Sequence, residues 1–162
     1  MRIDLVPFLP CLAVKALRYP LVYESSTTLR LTVQLKGSIA SEFEDVTQVG
    51  QREFGLWQHN CFELFLGEPG SAAYWELNLA PNGNWNCFGF NDYRQNQKES
   101  DRCAVTEFSA VCRGLDYQLE AQILTKPPLR SSGSALSLGA AAIIETANDL
   151  NYFSIRHGTT PD

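Results

Sequence analysis

Apolar and polar residues alternate strictly along much of this chain. From Thr28 to Lys36 every second residue is Leu or Val, and the residues between them are Arg, Thr and Gln. From Asp116 to Ile123 the same alternation sets Tyr, Leu, Ala and Ile against Gln and Glu. A period of two residues buries one face of a strand and leaves the other in water, which is typical of antiparallel sheets.

Further segments carry a similar pattern, and none of the longer ones shows a helical period of hydrophobicity. They are Cys11–Leu17, Leu56–Leu66, Ala73–Ala80, Trp85–Phe90, Ala104–Cys112, Leu136–Thr146 and Asn151–His157. The sequence therefore predicts about nine strands, by the count of these runs and the two above. An all-β fold follows, and we expect an antiparallel β-sandwich of the immunoglobulin-like or jelly-roll type.

Turn and loop residues separate the predicted strands. Glu68–Ser71 and Pro81–Gly83 have the composition of turns, and Lys126–Ser134 predicts an exposed loop. The long stretch Ser38–Gly55 is expected to hold one helical turn, and it could cover a site. No repeat or linker divides the chain, so its 162 residues predict a single domain, 1–162.

Composition and charge exclude several classes of function. Hydrophobic residues make up 44% of the chain and charged residues 19%, which is typical of a soluble globular protein. The net charge is −5, and no two basic residues are adjacent. The chain therefore lacks the clustered Lys and Arg that bind nucleic acids or anionic membranes. No stretch is long enough to span a bilayer.

The cysteines and the N-terminus bear on the compartment. The five cysteines are widely spaced and form no Cys-x-x-Cys motif, so they predict neither a zinc knuckle nor a redox pair. The N-terminus carries Asp4, and Pro7 and Pro10 interrupt its apolar run, unlike a secretory signal. We therefore expect an intracellular, cytoplasmic protein with reduced thiols.

Two predicted strands place polar and aromatic residues on a common face. Leu56–Leu66 and Ala73–Ala80 are joined by a short turn and should pair as a hairpin, whose facing residues share a side of the sheet. A register that pairs their apolar residues on one face also brings the residues of the other face together. These are Trp57, His59, Glu63, Tyr74, Glu76 and Asn78. The two glutamates repel each other unless a cation or ligand lies near them, and Arg94 is the candidate cation. Such a face suits a sugar, because a ring packs on the C–H face of a pyranose while carboxylate and amide groups bond its hydroxyls.

The strand after this hairpin can pair in two ways. If Asn82 and Gly83 form a two-residue loop, Phe88 and Phe90 lie in the core and Trp85 joins the polar face. A three-residue loop with a bulge at Gly83 reverses these positions. We prefer the first arrangement because two phenylalanines make the better core, and we include Trp85 among the candidate ligand-binding residues. A packing role for this tryptophan is the alternative.

The motifs of this region resemble those of a known family. They are Gly-Leu-Trp-x-His-x-Cys-Phe-Glu-x-Phe-Leu from Gly55, Tyr-x-Glu-Leu-Asn-x-x-Pro-x-Gly-x-Trp from Tyr74, and Phe-x-x-Tyr-Arg ending at Arg94. Ile144-Glu145 and Tyr152-Phe153 with His157 also fit. In this combination, from about Leu29 onward, the chain resembles DOMON-like proteins related to family 9 carbohydrate-binding modules.

The resemblance implies a β-sandwich that binds a sugar through aromatic and polar side chains. It implies that Trp57 stacks on the sugar and that Glu63 is the binding carboxylate. Glu76 and Asn78 would be the polar pair of the next strand, although the modules often carry a basic residue where Glu76 stands. Phe153 would replace a second stacking tryptophan. Some relatives bind calcium, but the acidic residues of Glu42–Asp45 are too few to predict a site, so no cofactor or metal is expected.

The sequence thus predicts a protein that binds a small saccharide or sugar-containing metabolite without catalysis. One alternative is a protein-interaction module that uses an open sheet edge or the Trp57 face. A second is a glycoside hydrolase whose acid–base pair is Glu63 and Glu76. A third is a haem protein with His59 and His157 as axial ligands. A metal site at His59 and Cys61 would lack a third ligand.

Overall fold

The structure is a computed structural model that describes residues 1–126, 136–147 and 149–159. Most of the predicted loop Lys126–Ser134 lies outside the described residues. Strands and short 3-10 turns make up the regular structure of the described ranges. The strands are β1 Arg2–Pro7, β2 Ala16–Tyr23, β3 Thr28–Lys36, β4 Cys61–Gly67, β5 Tyr74–Leu79, β6 Trp85–Phe90, β7 Lys98–Glu99, β8 Cys103–Arg113, β9 Asp116–Thr125, β10 Ser137–Glu145 and β11 Leu150–Ser154. The 3-10 turns are Ser38–Glu42 and Leu56–Gln58, and the first supplies the helical turn expected in the long stretch Ser38–Gly55.

The predicted all-β sandwich is confirmed. The strands follow the order β7-β6-β5-β4-β10-β11-β1-β2-β3-β9-β8, and neighbouring strands are antiparallel. This continuous sheet curls so that its two halves enclose one core. We call strands β7, β6, β5, β4, β10 and β11 the front sheet, and strands β2, β3, β9 and β8 the back sheet.

Strand β1 joins the two halves of the sandwich. Its residues Arg2–Leu5 pair with β2 of the back sheet, whereas Val6 and Pro7 pair with β11 of the front sheet. A strand that changes partners in this way makes a corner between two packed sheets. The phenol of Tyr19 adds a second link, because its hydroxyl donates a hydrogen bond of 2.8 Å to the backbone oxygen of Ala141 in the front sheet.

The core consists of the inward-facing residues that the alternation predicted. The back sheet contributes Leu29, Leu31, Val33, Leu35, Tyr117, Leu119, Ala121 and Ile123, and the front sheet contributes Phe62, Leu64, Leu66, Leu77 and Leu79. The rings of Phe62 and Tyr117 stack across the interface with their centroids 6.1 Å apart. At about 25 cal/mol per Å² of buried apolar surface, this layer is the dominant stabilising contribution.

The N-terminal strands differ from the sequence-based expectation. The predicted strand Cys11–Leu17 is irregular until Ala16, and β1 was not predicted, so the described chain has eleven strands where about nine were expected. Pro20 explains why the prediction missed the second half of β2. Pro20 interrupts the apparent alternation of β2. The pairing of β2 with β3 is also interrupted at Tyr19 and Pro20, because proline has no N–H group to donate. The prediction also missed the two-residue strand β7.

All five cysteines are free thiols. None of the helical segments in the described ranges has the length and apolar character needed to cross a membrane. The first finding agrees with the wide cysteine spacing, and the expected cytoplasmic location stays a prediction.

Candidate functional site

A row of polar side chains crosses the outer face of the front sheet. Glu63 of β4 lies directly opposite Asn78 of β5, and Asn78 lies opposite Asn86 of β6. Glu76 stands two residues before Asn78 on the same strand and therefore points to the same side. The hairpin register thus brings Glu63, Glu76 and Asn78 together as the parity of the sequence predicted. Their role in binding stays a prediction.

These polar groups are far less exposed than an outer face would suggest. Asn78 and Asn86 are 0% exposed and Glu63 is 7% exposed, whereas Glu76 is half-buried. The side-chain nitrogen of Asn86 has two hydrogen-bond partners. Its Nδ2 donates to the backbone oxygen of Glu53 at 3.2 Å and to Oε1 of Glu99 at 2.7 Å. Buried polar groups of this kind require partners, so this part of the face is not a solvated surface.

Burial perturbs the two glutamates. Loss of hydration raises the pKa of Glu63 to about 8, with a further rise from the charge of Glu76 and an opposing effect of Arg94. Burial also raises the pKa of Glu76, against the lowering effects of the hydrogen bond from Asn78 and of Arg94. A buried carboxyl whose pKa approaches neutrality, in a row with a second carboxyl, is typical of functional sites.

The side-chain amide of Asn78 is hydrogen-bonded through its nitrogen and not through its oxygen, among the described residues. Its Nδ2 donates a hydrogen bond of 2.9 Å to Oε1 of Glu76. Its Oδ1 is buried and has no hydrogen-bond partner among the described residues. A buried acceptor left unpaired costs about 1–3 kcal/mol, so this oxygen is a position where a ligand donor would be favoured.

Trp57 reaches the site from a turn and not from a strand. The predicted strand Leu56–Leu66 begins only at Cys61, and Trp57 lies in the 3-10 turn Leu56–Gln58, which follows Gly55 in the left-handed conformation at φ 83°. The indole packs edge-on against Phe88 of β6, with centroids 5.5 Å apart, and against Phe54 at 5.0 Å. Since Phe88 shares the outer face with Glu76, the ring lies beside the polar row.

An apolar patch completes the face on the side of β10 and β11. Its buried members are Leu56, Cys61, Ala80 and Ile143, and Trp57 and Tyr152 pack against it. Tyr152 lies opposite Ile143, so its ring belongs to the outer face. Trp57 and Tyr152 are therefore half-buried aromatic residues on a common apolar floor next to Glu63.

The prediction for Phe153 was wrong. Phe153 lies opposite Ala142, is 1% exposed and belongs to the main core. Adjacent residues of a strand point to opposite faces, so only one of Tyr152 and Phe153 can reach the site. The register with β10 selects Tyr152.

The prediction for Trp85 was also wrong. Pro81–Gly83 forms a three-residue loop, closed by a hydrogen bond from the nitrogen of Ala80 to the oxygen of Asn84, with Gly83 at φ 91°. The extra residue shifts β6 by one position, so Trp85 packs on the core side while Phe88 and Phe90 occupy the outer face. The guanidinium of Arg52 lies over the Trp85 ring at 5.1 Å.

Tyr74 and Arg94 lie at the far end of the polar row. The rings of Tyr74 and Phe90 stack at 4.7 Å with an interplanar angle of 4°. The backbone nitrogen of Arg94 donates to the hydroxyl of Tyr74 at 3.2 Å, which ties the loop after β6 to the face. Arg94 adopts φ 54° in this loop, and its charge acts on both Glu63 and Glu76.

The two histidines have other partners. Nδ1 of His59 lies 3.0 Å from Oε2 of Glu145, and the imidazole side chain is 73% exposed, so His59 stands at the rim of the face. Nε2 of His157 lies 2.7 Å from the backbone oxygen of Val6. The two histidines therefore have separate hydrogen-bond partners, Glu145 and Val6. No group of three potential metal ligands occurs in the described ranges.

A groove of about 810 Å³ opens beside the site. Its walls are the loop Glu42–Gln48, the turn Pro81–Asn82 and residues His59 and Asn60, and it reaches Leu56 and Ala80 of the apolar floor. Neither glutamate of the polar row lines it. The long loop before β4 therefore borders the face.

Several residues of this face were not predicted. Phe54, Phe88 and Phe90 were assigned elsewhere or left out, as were Asn86 and Tyr152. The bulge alternative at Gly83 was the one available signal for the residues of β6. The sequence could not show which of Tyr152 and Phe153 faces the core, because both are aromatic and either orientation of the strand buries a ring.

Comparison with known proteins supports the fold. No protein-family model and no curated protein matches this sequence. Among solved structures, a putative carbohydrate-binding protein from Bacteroides uniformis is similar with a TM-score of 0.59 and 12% identity, over 94% of this chain and 76% of that one. A family 9 carbohydrate-binding module from Caldicellulosiruptor kristjanssonii is similar in its complex with glucose, with a TM-score of 0.56 and 11% identity over 86% of this chain and 66% of that one. Its complex with cellotriose gives a TM-score of 0.53 and 10% identity, over 86% and 65% of the two chains. At these identities the likeness is one of fold, and this chain has the β-sandwich of those proteins.

Proposed function

We propose that this protein binds a small saccharide on the outer face of the front sheet and does not transform it. The observation that carries the proposal is the row of Glu63, Glu76 and Asn78, which lies next to the rings of Trp57 and Tyr152. An aromatic ring covers the apolar C–H face of a pyranose, while carboxyl and amide oxygens accept hydrogen bonds from its hydroxyls.

The similar structures favour the same class of ligand. The Caldicellulosiruptor module was solved with glucose and with cellotriose, and the Bacteroides protein is described as putatively carbohydrate-binding. These ligands belong to those proteins, and a shared fold alone does not carry a function. The polar row and the rings are the independent support from this chain.

The geometry favours binding over hydrolysis. Glycoside hydrolysis by two carboxyls requires an acid at the leaving oxygen and a base or nucleophile on the other side of the sugar. Glu63 and Glu76 rise from adjacent strands on one face, so a sugar lying on that face meets both from the same side. The pair is therefore suited to accept hydrogen bonds and not to flank a glycosidic bond.

Calorimetry and ligand-observed NMR with a panel of mono- and disaccharides test the proposal. We expect saturable binding by at least one sugar and its loss in Trp57→Ala, because the stacking surface is removed. Leu12→Ala, at a residue 96% exposed and remote in sequence from the face, is the control and should leave binding unchanged. A blank panel, beside capture of one protein partner through the exposed Phe54, would instead identify an interaction module.

A further inference from the structure

The polar row offers chiefly oxygen acceptors around Asn78, and the guanidinium of Arg94 acts on it from the far end. The amide nitrogen of Asn78 donates one hydrogen bond to Glu76, and its Oδ1 is buried without a partner among the described residues. Asn86 has used its nitrogen on Glu53 and Glu99. The carboxyls of Glu63 and Glu76 and the amide oxygen of Asn78 can accept hydrogen bonds from a ligand. A neutral sugar hydroxyl both donates and accepts, whereas a site of acceptors best fits a group that only donates.

The charged groups around Glu63 also favour a ligand with a positive charge. Glu63 faces Glu76 from β5, the guanidinium of Arg94 from the loop after β6, and the buried groups Cys61 and Tyr19. Strand β10 adds no charge, because Ala141 lies opposite Glu63. Two carboxyls thus stand against one guanidinium. In the free protein the proton on Glu63 balances the row, and a bound ammonium would take the place of that proton.

The surrounding rings also favour a cation. The centroids of Trp57, Phe54 and Phe88 lie within 5.8 Å of one another, and each neighbouring pair is arranged edge-to-face. Aromatic faces attract an ammonium group, and tryptophan does so best. An ammonium between these rings and the carboxyls would therefore gain from both.

Resting on the proposed function, we propose that the preferred ligand is a sugar that carries a free protonated amine, of the hexosamine class. The ammonium lies at the polar row, where it donates to Glu63, Glu76 and Oδ1 of Asn78. The pyranose ring lies on the indole of Trp57. An ammonium has three donors and no acceptor, which matches the three acceptors of the row.

Proton linkage gives this ligand a distinct signature. Burial raises the pKa of Glu63 to about 8, so at neutral pH its carboxyl holds a proton in the free protein. A bound ammonium stabilises the carboxylate and lowers that pKa, so binding of the amine releases a proton from Glu63. A neutral sugar has no such effect, because it brings no charge.

Calorimetry with glucosamine, N-acetylglucosamine and glucose tests the inference. We expect glucosamine to bind about tenfold more tightly than the other two near neutral pH, because a charge-assisted hydrogen bond is stronger than one between neutral groups. Repeating the titration in two buffers of different ionisation enthalpy should show proton release for glucosamine alone. Ethylamine, an amine without a sugar ring, should bind more weakly than glucosamine.

The possible results separate the two proposals. Equal affinities for glucosamine and glucose would overturn the amine preference and leave saccharide binding standing. Binding of ethylamine as tight as that of glucosamine would overturn the role of a sugar ring. Failure of every sugar to bind would overturn the proposed function and this inference together.

A matched pair of variants locates the effect. Glu76→Gln should reduce the preference for glucosamine over glucose by about tenfold, because it removes one carboxylate charge from the row. Glu145→Gln removes a carboxyl beside His59 at the rim and should keep the preference. Circular dichroism establishes that both variants are folded. A folded Glu76→Gln protein with the wild-type preference would contradict the assignment.

Discussion

The amide nitrogen of Asn78 donates a hydrogen bond to Oε1 of Glu76, at 2.9 Å, along one strand of the front sheet. This bond fixes the amide so that its oxygen is left buried and unpaired among the described residues. It also holds the Glu76 carboxyl next to Glu63, whose strand lies beside Asn78. A single intrastrand contact thus gives the site its acceptor character, and the predictions below follow from this arrangement and from the fold around it.

The stability of the protein should fall as the pH rises from about 4.5 to about 8. Burial raises the pKa of Glu63 from 4.5 to about 8, so between these values the folded state binds a proton that the unfolded state has lost. The folded state is therefore favoured at low pH and loses on the order of 4 kcal/mol by the upper end. The raised pKa of Glu76 acts in the same direction.

Urea unfolding at a series of pH values measures this effect. In Glu63→Gln the dependence should be much weaker and the protein should be more stable than the wild type above pH ~8, because the amide has no proton to lose. Glu145→Gln, at a half-exposed position beside His59, should keep the wild-type profile. Parallel profiles for the wild type and Glu63→Gln would show that the carboxyl is not desolvated.

Tryptophan fluorescence should report ligand binding through one residue. Trp57 lies at the outer face, whereas Trp75 and Trp85 pack against the core on the other side of the sheet. We expect the sugar-induced change in emission to disappear in Trp57→Phe and to persist in Trp75→Phe and Trp85→Phe. A response that persists in Trp57→Phe and is lost in Trp85→Phe would place the ligand elsewhere.

The adjacent residues Tyr152 and Phe153 should respond oppositely to substitution. Phe153→Ala removes a ring that is 1% exposed in the core and should lower the free energy of unfolding by about 3–5 kcal/mol. Tyr152→Ala removes a half-buried ring of the outer face and should weaken sugar binding by about tenfold, with a smaller loss of stability. Chemical denaturation and calorimetry on both variants compare these effects. A binding defect confined to a folded Phe153→Ala protein would reverse the assignment.

A side chain at Gly83, in the loop before β6, should lower the free energy of unfolding. Gly83 has φ 91°, and a Cβ there would lie 2.9 Å from the backbone oxygen of Gln48. Gly114 also has positive φ, at 66°, but a Cβ there would meet nothing within 4 Å. Gly114→Ala should therefore cost about 1 kcal/mol from backbone strain, and Gly83→Ala clearly more. Thermal unfolding of the two variants makes the comparison, and equal melting temperatures would refute the close contact.

The local pattern of the chain was sufficient for the class of fold and for part of the site. Alternation in Thr28–Lys36 and Asp116–Ile123 specifies strands with one buried face, because side chains of a strand point to opposite sides in turn. The same parity, carried across one short turn, put Glu63 with Asn78 and Glu76 on a shared face. These features depend on neighbours in sequence, and a sequence records such neighbours directly.

Other features were decided only when distant segments packed together. The three-residue loop that holds Gly83 close to the Gln48 backbone turns Phe88 outward, and pairing of β11 with β10 turns Tyr152 outward and Phe153 inward. The sequence alone predicted the reverse in both places, because either parity of these strands buries an aromatic ring. The burial of Glu63, and with it the raised pKa, likewise arises from the assembled structure around it. Desolvation is a property of that assembled environment, so it belongs to the tertiary structure and to no local pattern.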